Sequence, residues 1–210
     1  MKLVLASNNA KKLKELGTLF SALPIELVTQ GSLGVSEAEE PHITFVENAL
    51  AKARHAAQAT GLPAIADDSG LCVDALGGRP GVQSAVYAAF TPPIGSEREA
   101  HRALQDGANN RLLLECLAGQ DQRRASFVCA LVAIRAADDP EPLIAFGRWQ
   151  GELLRERQGH GGFGYDPLMY IPALDATVAT LDAAVKNAHS HRAIAAAKMV
   201  QLMREVWQLS

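Results

Sequence analysis

The chain is poor in several things, and each shortage excludes a class of function. It has three cysteines in 210 residues, Cys72, Cys116 and Cys129, with no C-x-x-C pair. That spacing offers no zinc site, and an odd count in apolar settings such as Phe127–Ala130 predicts reduced core thiols in a cytoplasmic protein. Aromatics make up only 5%. Neither sign of charge dominates: 20 basic and 23 acidic side chains leave a formal net charge of −3. A chain so balanced has no bulk attraction for nucleic acid or an anionic membrane, so any anionic substrate must be held by a few local cations. Apolar runs of membrane-spanning length are also missing. The N-terminal Met1–Ala6 is too short for a signal peptide and reads as a first strand.

What is present is a core: 48% of the residues are hydrophobic, enough for a single domain over 1–210. Residues 2–6 read as a buried strand and residues 10–22 as a helix, with Leu13, Leu16, Leu19 and Phe20 on one face. A second strand follows at 25–28. Residues 30–42 form a polar loop carrying Glu37, Glu39 and Glu40. The spacing of Val46, Ala49, Leu50, Ala53, Ala56 and Ala57 predicts a helix over 44–60, stopped by Gly61. Residues 64–66 read as a short strand that ends at Asp67-Asp68, and 71–76 as another. A helix is predicted over 97–118, two longer strands over 125–135 and 142–154 joined by Asp138-Asp139-Pro140, and a closing helix over 191–208. Alternating strands and helices, then adjacent long strands, predict an α/β fold with a mixed sheet.

Four segments have the residue types that chemistry needs. Ser7-Asn8-Asn9-Ala10-Lys11-Lys12 lies where a strand gives way to a helix. Free N–H groups and the helix dipole attract anions there, although a plain helix cap reads the same way. Asp67-Asp68-Ser69-Gly70 is either a turn or a metal site: adjacent carboxylates repel, and a divalent cation relieves that repulsion. Gly159–Pro167 sets four glycines around Phe163 and Tyr165, giving a backbone that can approach a ligand closely and rings that can stack on a base. In Lys186–Arg192, Ser190 is the N-cap of the last helix. His191 and Arg192 in its first turn oppose the dipole unless negative charge lies nearby.

Taken together, the chain resembles the noncanonical purine nucleoside triphosphate pyrophosphatases (the inosine/xanthosine triphosphatase, or HAM1-like, family). The resemblance is carried by Ser7-Asn8-Asn9 with Lys12, Thr44-Phe45-Val46-Glu47-Asn48-Ala49, Ala66-Asp67-Asp68-Ser69-Gly70-Leu71, Gly77-Gly78-Arg79-Pro80-Gly81-Val82, Gly162–Pro167 and Ser190-His191-Arg192, in the family's order along nearly the whole chain. It implies an elongated mixed-sheet fold with two lobes and a nucleotide cleft between them, a homodimer and Mg²⁺ dependence. The implied reaction is hydrolysis of ITP, dITP or XTP to the monophosphate and pyrophosphate. Carried over residue by residue, Ser7, Asn8, Asn9, Ala10, Lys11 and Lys12 hold the triphosphate. Asp68 is the catalytic carboxylate and a metal ligand, with Glu39, or its rival Glu40, as the second. Ser69 contacts substrate, and Phe163, Gly164, Tyr165 and Asp166 pack on base and sugar. Lys186, His191 and Arg192 complete the base site. The chain departs from the family in having Val86 where an arginine is usual, Ala183-Ala184-Val185 before Lys186, His189, and Met169 after Asp-Pro-Leu.

Overall fold

A computed structural model describes residues 1–91 and 98–209; the side chains of Ala10, Lys11, Arg98 and Glu99 also lie outside the described set. The elements run β1 (Lys2–Leu5), α1 (Ala10–Leu19), β2 (Glu26–Thr29), α2 (Phe45–Thr60), β3 (Ala64–Val73), α3 (Arg98–Cys116), β4 (Arg124–Ile134), β5 (Leu143–Leu153), β6 (Met169–Ile171), β7 (Ala176–Thr177), α4 (Ala183–His189) and α5 (His191–Val206). Among the described residues the strands form one seven-stranded sheet in the order β2-β1-β3-β4-β5-β6-β7. It is mixed: β1 runs parallel to β2 and β3, while β6 is antiparallel to β5 and β7. β4 and β5 are neighbours joined by residues 135–142, a link too short for a parallel crossover.

By its internal packing the chain divides into two compact units. One comprises residues 1–69, 129–148 and 189–210, the other residues 70–128 and 149–188. In the first, strand alternation sorts side chains to two faces. Leu3 and Leu5 of β1, Ile65 of β3 and Cys129, Leu131 and Ala133 of β4 share a cluster with Leu16 of α1 and Ala195, Met199 and Met203 of α5. The residues between them, Val4, Ala64, Ala66, Val132 and Ile134, pack with Ala49, Ala53 and Ala56 of α2. The second unit has its own core, built on Leu71, Leu113, Trp149, Leu168 and Met169.

Local signals explain most boundaries. Thr44 caps α2 by accepting the Glu47 N–H at 3.3 Å, and Gly61 ends it in a left-handed conformation, φ 67°. Ser190 caps α5 by accepting the Ala193 N–H at 3.1 Å. One expectation fails. The segments 64–66 and 71–76 are parts of one strand, β3, and only residues 74–76 leave it, as a 3-10 turn. The acidic pair therefore lies inside a strand, because pairing within the sheet overrides the turn preference of Asp-Asp-Ser-Gly. The helix α4 was not anticipated; its seven residues are too few to show a periodic face. Glu97, expected to start α3, is outside the described residues.

Candidate active site

The site begins with the alternation of β3. Asp67 points to the same face as Ile65 and meets α1 and α5; Asp68 points to the face of Ala64 and Ala66 and meets α2. The two neighbours thus enter separate environments. Lys12 Nζ donates to Asp67 Oδ1 at 2.8 Å, while Arg192 Nη2 and Ser69 Oγ lie 3.4 and 3.3 Å from Oδ2. Burial alone would raise the Asp67 carboxyl, but Lys12, Arg192 and Lys52 outweigh it and hold it well below the usual carboxylate range. Arg192 is buried and gives its other donor, Nη1, to Glu15 Oε2. Burial opposes its charge, yet Asp67 and Glu15 are among the groups that overcome this and keep it protonated. Cys129 on adjacent β4 lies in the same field: burial, with Asp67 adding, pushes its thiol up to about 12, so it is inert.

Asp68 has weaker support. Lys52 Nζ lies 3.2 Å from Asp68 Oδ1 and 3.0 Å from Glu40 Oε2, and Asn48 Nδ2 is 3.4 Å from Asp68 Oδ2. Burial and the Glu40 charge raise the Asp68 carboxyl against the pull of Lys52 and Lys12. One strand therefore carries a carboxylate locked in its charged form beside one with raised proton affinity. Pairs whose environments push their affinities apart suit a division of labour between structural anchor and base.

At the first strand-to-helix junction, Ser7 Oγ accepts the Asn9 N–H at 3.2 Å and Asn9 Oδ1 accepts the Lys12 N–H at 3.3 Å. Asn8 is exposed, and its Nδ2 lies 3.4 Å from Glu37 Oε1. Ala10 and Lys11 occupy the first turn of α1, with their side chains outside the described set.

In the second unit, the glycine-rich loop closes on Asp166. Its Oδ2 accepts the Phe163 N–H at 3.0 Å and the Lys186 ammonium at 2.6 Å. Gly162 has φ 76°, and any side chain there would strike the Asp166 carboxylate. Lys186 Nζ sits 4.7 Å from the centre of the Phe163 ring, which remains 42% exposed and so offers a free face for stacking. The Gly164 peptide is gripped at both ends: its N–H donates to Asp106 Oδ2 at 2.7 Å and its carbonyl accepts from Asn110 Nδ2 at 2.8 Å.

One expected residue is placed differently from its expected role. Tyr165, expected on the base, is core: it is buried and its hydroxyl donates to the Ser84 carbonyl at 2.9 Å. Both amino ends of Arg192 meet carboxylates, Glu15 and Asp67, which explains how a cation tolerates the first turn of α5. On the acidic loop Glu39 and Glu40 are both exposed, and Glu40 shares Lys52 with Asp68. His191 is partly buried at the start of α5. Sequence reasoning missed Lys52, Asn48, Glu15, Asp106 and Asn110. The spacing of Asn48 and Lys52, one turn apart on α2, was the available signal; the other three carried none.

Buried cations, paired carboxylates and a strand-to-helix junction on an α/β sheet are the groups that phosphate chemistry needs. A Ham1 family model matches residues 3–202, and the chain belongs to that family. It is 72% identical, over the full length of both chains, to a dITP/XTP pyrophosphatase of Leptothrix cholodnii, and 69% identical to the one of Methylibium petroleiphilum, with 99% of each chain covered. Among solved structures, a HAM1 protein from Coxiella burnetii superposes with a TM-score of 0.86 at 42% identity, covering 98% of this chain and 100% of that one. The dITP/XTP pyrophosphatase from Mycobacterium abscessus gives 0.72 at 38%, covering 95% and 98%.

Proposed function

We propose that this chain hydrolyses noncanonical purine nucleoside triphosphates, dITP, XTP and ITP, to the monophosphate and pyrophosphate, and so removes deaminated purines from the nucleotide pool. The observation that carries the reading is the acidic pair of β3, one aspartate locked by Lys12 and Arg192 and the other raised in proton affinity beside Lys52 and Glu40. Full-length similarity to two dITP/XTP pyrophosphatases supports the choice of substrate.

Asp68 accepts a proton from water as the water oxygen bonds to the α-phosphorus. The bond to the bridging oxygen breaks, and pyrophosphate leaves with the electron pair. Lys12 and the Ser7–Asn9 junction bind the triphosphate, whose charge competes with Asp67 for the Lys12 ammonium. No side-chain nucleophile is required. Mg²⁺ fits the donor set. Asp68 and Glu40 offer hard carboxylate oxygens around one lysine. Among the described residues no group of three or more ligating side chains is gathered. Mg²⁺ characteristically takes one or two carboxylates and fills its remaining positions with water and phosphate. When bound, it would neutralise charge on the phosphates.

Phe163 supplies a stacking face for the base, and Asp166 and Lys186 fix that ring. Donors from Lys186, His191 or backbone N–H groups favour the 6-keto purines over adenine. A site that hydrogen-bonds the keto group discriminates by roughly 10⁴, since the wrong base leaves its donors unpaired. Resemblance to the family further supports a homodimer acting on the cytoplasmic pool; no described helix is long and apolar enough to cross a membrane.

The test is a panel of dITP, XTP, ITP, ATP, GTP, dUTP and a methylated pyrimidine triphosphate with Mg²⁺, scored for pyrophosphate against orthophosphate. Preferential release of pyrophosphate from dITP and XTP is expected. Orthophosphate as product, or preference for the pyrimidine substrates, refutes the reading. Tight dITP binding without turnover would make the chain a binding protein.

A further inference from the structure

The acidic segment between Ser36 and His42 carries Glu37, Glu39 and Glu40. Three like charges so close repel one another, and nothing in their sequence makes them hold a shape. The structure nevertheless ties this segment to one stripe of α2. Asn48, Lys52 and His55 stand at i, i+4 and i+7, so all three face the same way.

Asn48 is buried, only 2% exposed, and its amide is fully used. Its Oδ1 accepts the His42 N–H at 2.9 Å; its Nδ2 donates to the His42 carbonyl at 3.2 Å and lies 3.4 Å from Asp68 Oδ2. One side chain thus brackets a loop peptide at both ends and touches the carboxylate at the reaction centre. At the other end of the segment, His55 Nε2 lies 3.0 Å from the Ser36 carbonyl oxygen and 3.4 Å from its Oγ. Between these anchors Lys52 bonds both Glu40 and Asp68.

We infer that Asn48 and His55 are positioning residues that dock the 36–42 segment on α2 and so hold Glu40 at its working distance from Asp68. The inference rests on the reading of Asp68 as the catalytic carboxylate. Neither residue touches the substrate; His55 acts only through the loop, and Asn48 acts through the loop and through its contact with Asp68. Docking is favourable because each anchor satisfies a backbone group of the loop, and the Lys52 charge offsets the crowding of carboxylates. Removing an anchor leaves the folded core intact but lets the acidic segment leave α2.

The experiment compares wild type, Asn48→Ala and His55→Ala, each checked for folding by circular dichroism and melting. Two readouts are taken. The first is the rate of cleavage after Glu37 and Glu39 by a glutamate-specific protease under native conditions without nucleotide, mapped by mass spectrometry; the Glu40–Pro41 bond is resistant to such a protease. The second is the Mg²⁺ concentration giving half-maximal dITP turnover. Both variants are expected to be cut several-fold faster than wild type. Asn48→Ala is expected to need roughly tenfold more Mg²⁺, the usual effect of removing a group that orients a metal ligand, and to recover rate at high Mg²⁺. His55→Ala should shift the same way by less. Unchanged cleavage in the folded variants overturns the docking claim. Faster cleavage with an unchanged Mg²⁺ requirement overturns the positioning claim. Should Asn48→Ala fail to fold, the more exposed His55→Ala decides both. If wild type does not turn over dITP, the proposed activity falls, and the cleavage rates alone judge the docking.

Discussion

Replacing Arg192 with methionine tests whether the buried charges of the first unit are one interlocked set. The substitution keeps a long side chain in the same space but removes both donors. Glu15 loses its partner, and Asp67 Oδ2 loses a cation while Oδ1 keeps Lys12. Breaking a buried ion pair from one side costs about 3–5 kcal/mol. The lower end applies, because Lys12 still neutralises Asp67 and the Glu15 side chain is 20% exposed, so water can reach it. For a chain of this size, about 3 kcal/mol lowers Tm by roughly 6–12 °C. Urea denaturation measures the free energy, and scanning calorimetry the Tm. A second substitution, Asp67→Asn, on top of Arg192→Met removes the charge left behind. The double variant should be less destabilised than the sum of the two singles by at least about 1 kcal/mol, the coupling expected of residues in contact. Additive losses, or an Arg192→Met variant that melts within about 2 °C of wild type (about the smallest shift that 1 kcal/mol gives a chain of this size), would refute the argument.

Asp68→Asn should lower kcat by on the order of 10² or more, since the amide neither accepts the proton nor binds a cation well; steady-state kinetics showing near-normal turnover would remove it from the mechanism. Gly147→Ala would press a methyl into the His191 carbonyl and the Ala195 amide, whereas Gly17 has open space around it. The first should cost about 1–3 kcal/mol and the second should stabilise by up to about 1 kcal/mol, both read by denaturant titration. Gly162→Ala drives a methyl against Asp166 at a left-handed position, so KM for dITP should rise roughly tenfold, about 1.4 kcal/mol of binding, with kcat less affected. Burial would raise the Asp139 carboxyl, but the N–H groups of Arg135 and Glu141, at 2.8 and 2.9 Å, lower it overall. Its charged form therefore stabilises the fold above the unfolded value, about pH 3.9, and that contribution is lost as pH falls toward the lower folded value. Asp139→Asn should cost about 1 kcal/mol near neutrality, and its deficit against wild type should shrink in acid; a deficit constant down to pH 2 contradicts the assignment.

Much of the architecture was legible because periodicity and punctuation agreed. The alanine-rich face of α2 with Thr44 before it and Gly61 after it, the long apolar stretch of β4 and the alternation along β5 each pointed one way. The acidic pair was misplaced relative to β3 because local turn preference says nothing about which strand pairs alongside. Candidate site residues could be named from the sequence where ordered motifs carry them, as at Lys12 and Asp68. Their partners could not be, since Glu15, Asp106 and Asn110 matter only through residues far away in sequence. Glu15 meets Arg192 across 177 positions and Asp106 meets Gly164 across 58, and no window of periodicity spans such distances. Tyr165 shows the converse: in a glycine-rich motif it looks like a ligand group, yet its place is set by core packing.

The adjacency of Asp67 and Asp68 follows from the same geometry. A strand sends neighbours to opposite faces, and here one face is covered by α1 and α5 and the other by α2. Two carboxylates that would repel in a turn are therefore neutralised by different cations, Lys12 and Arg192 for the first and Lys52 for the second. The first has more cationic contacts than one carboxylate needs and stays charged. Among the described residues the second bonds one cation, Lys52, which it shares with Glu40, and has its proton affinity raised. Moving the pair by one residue along β3 would exchange the faces, placing the locked aspartate toward α2 and the basic one between Lys12 and Arg192. The register of β3 against its helices, more than the presence of two acids, makes one of them suited to accept a proton from water.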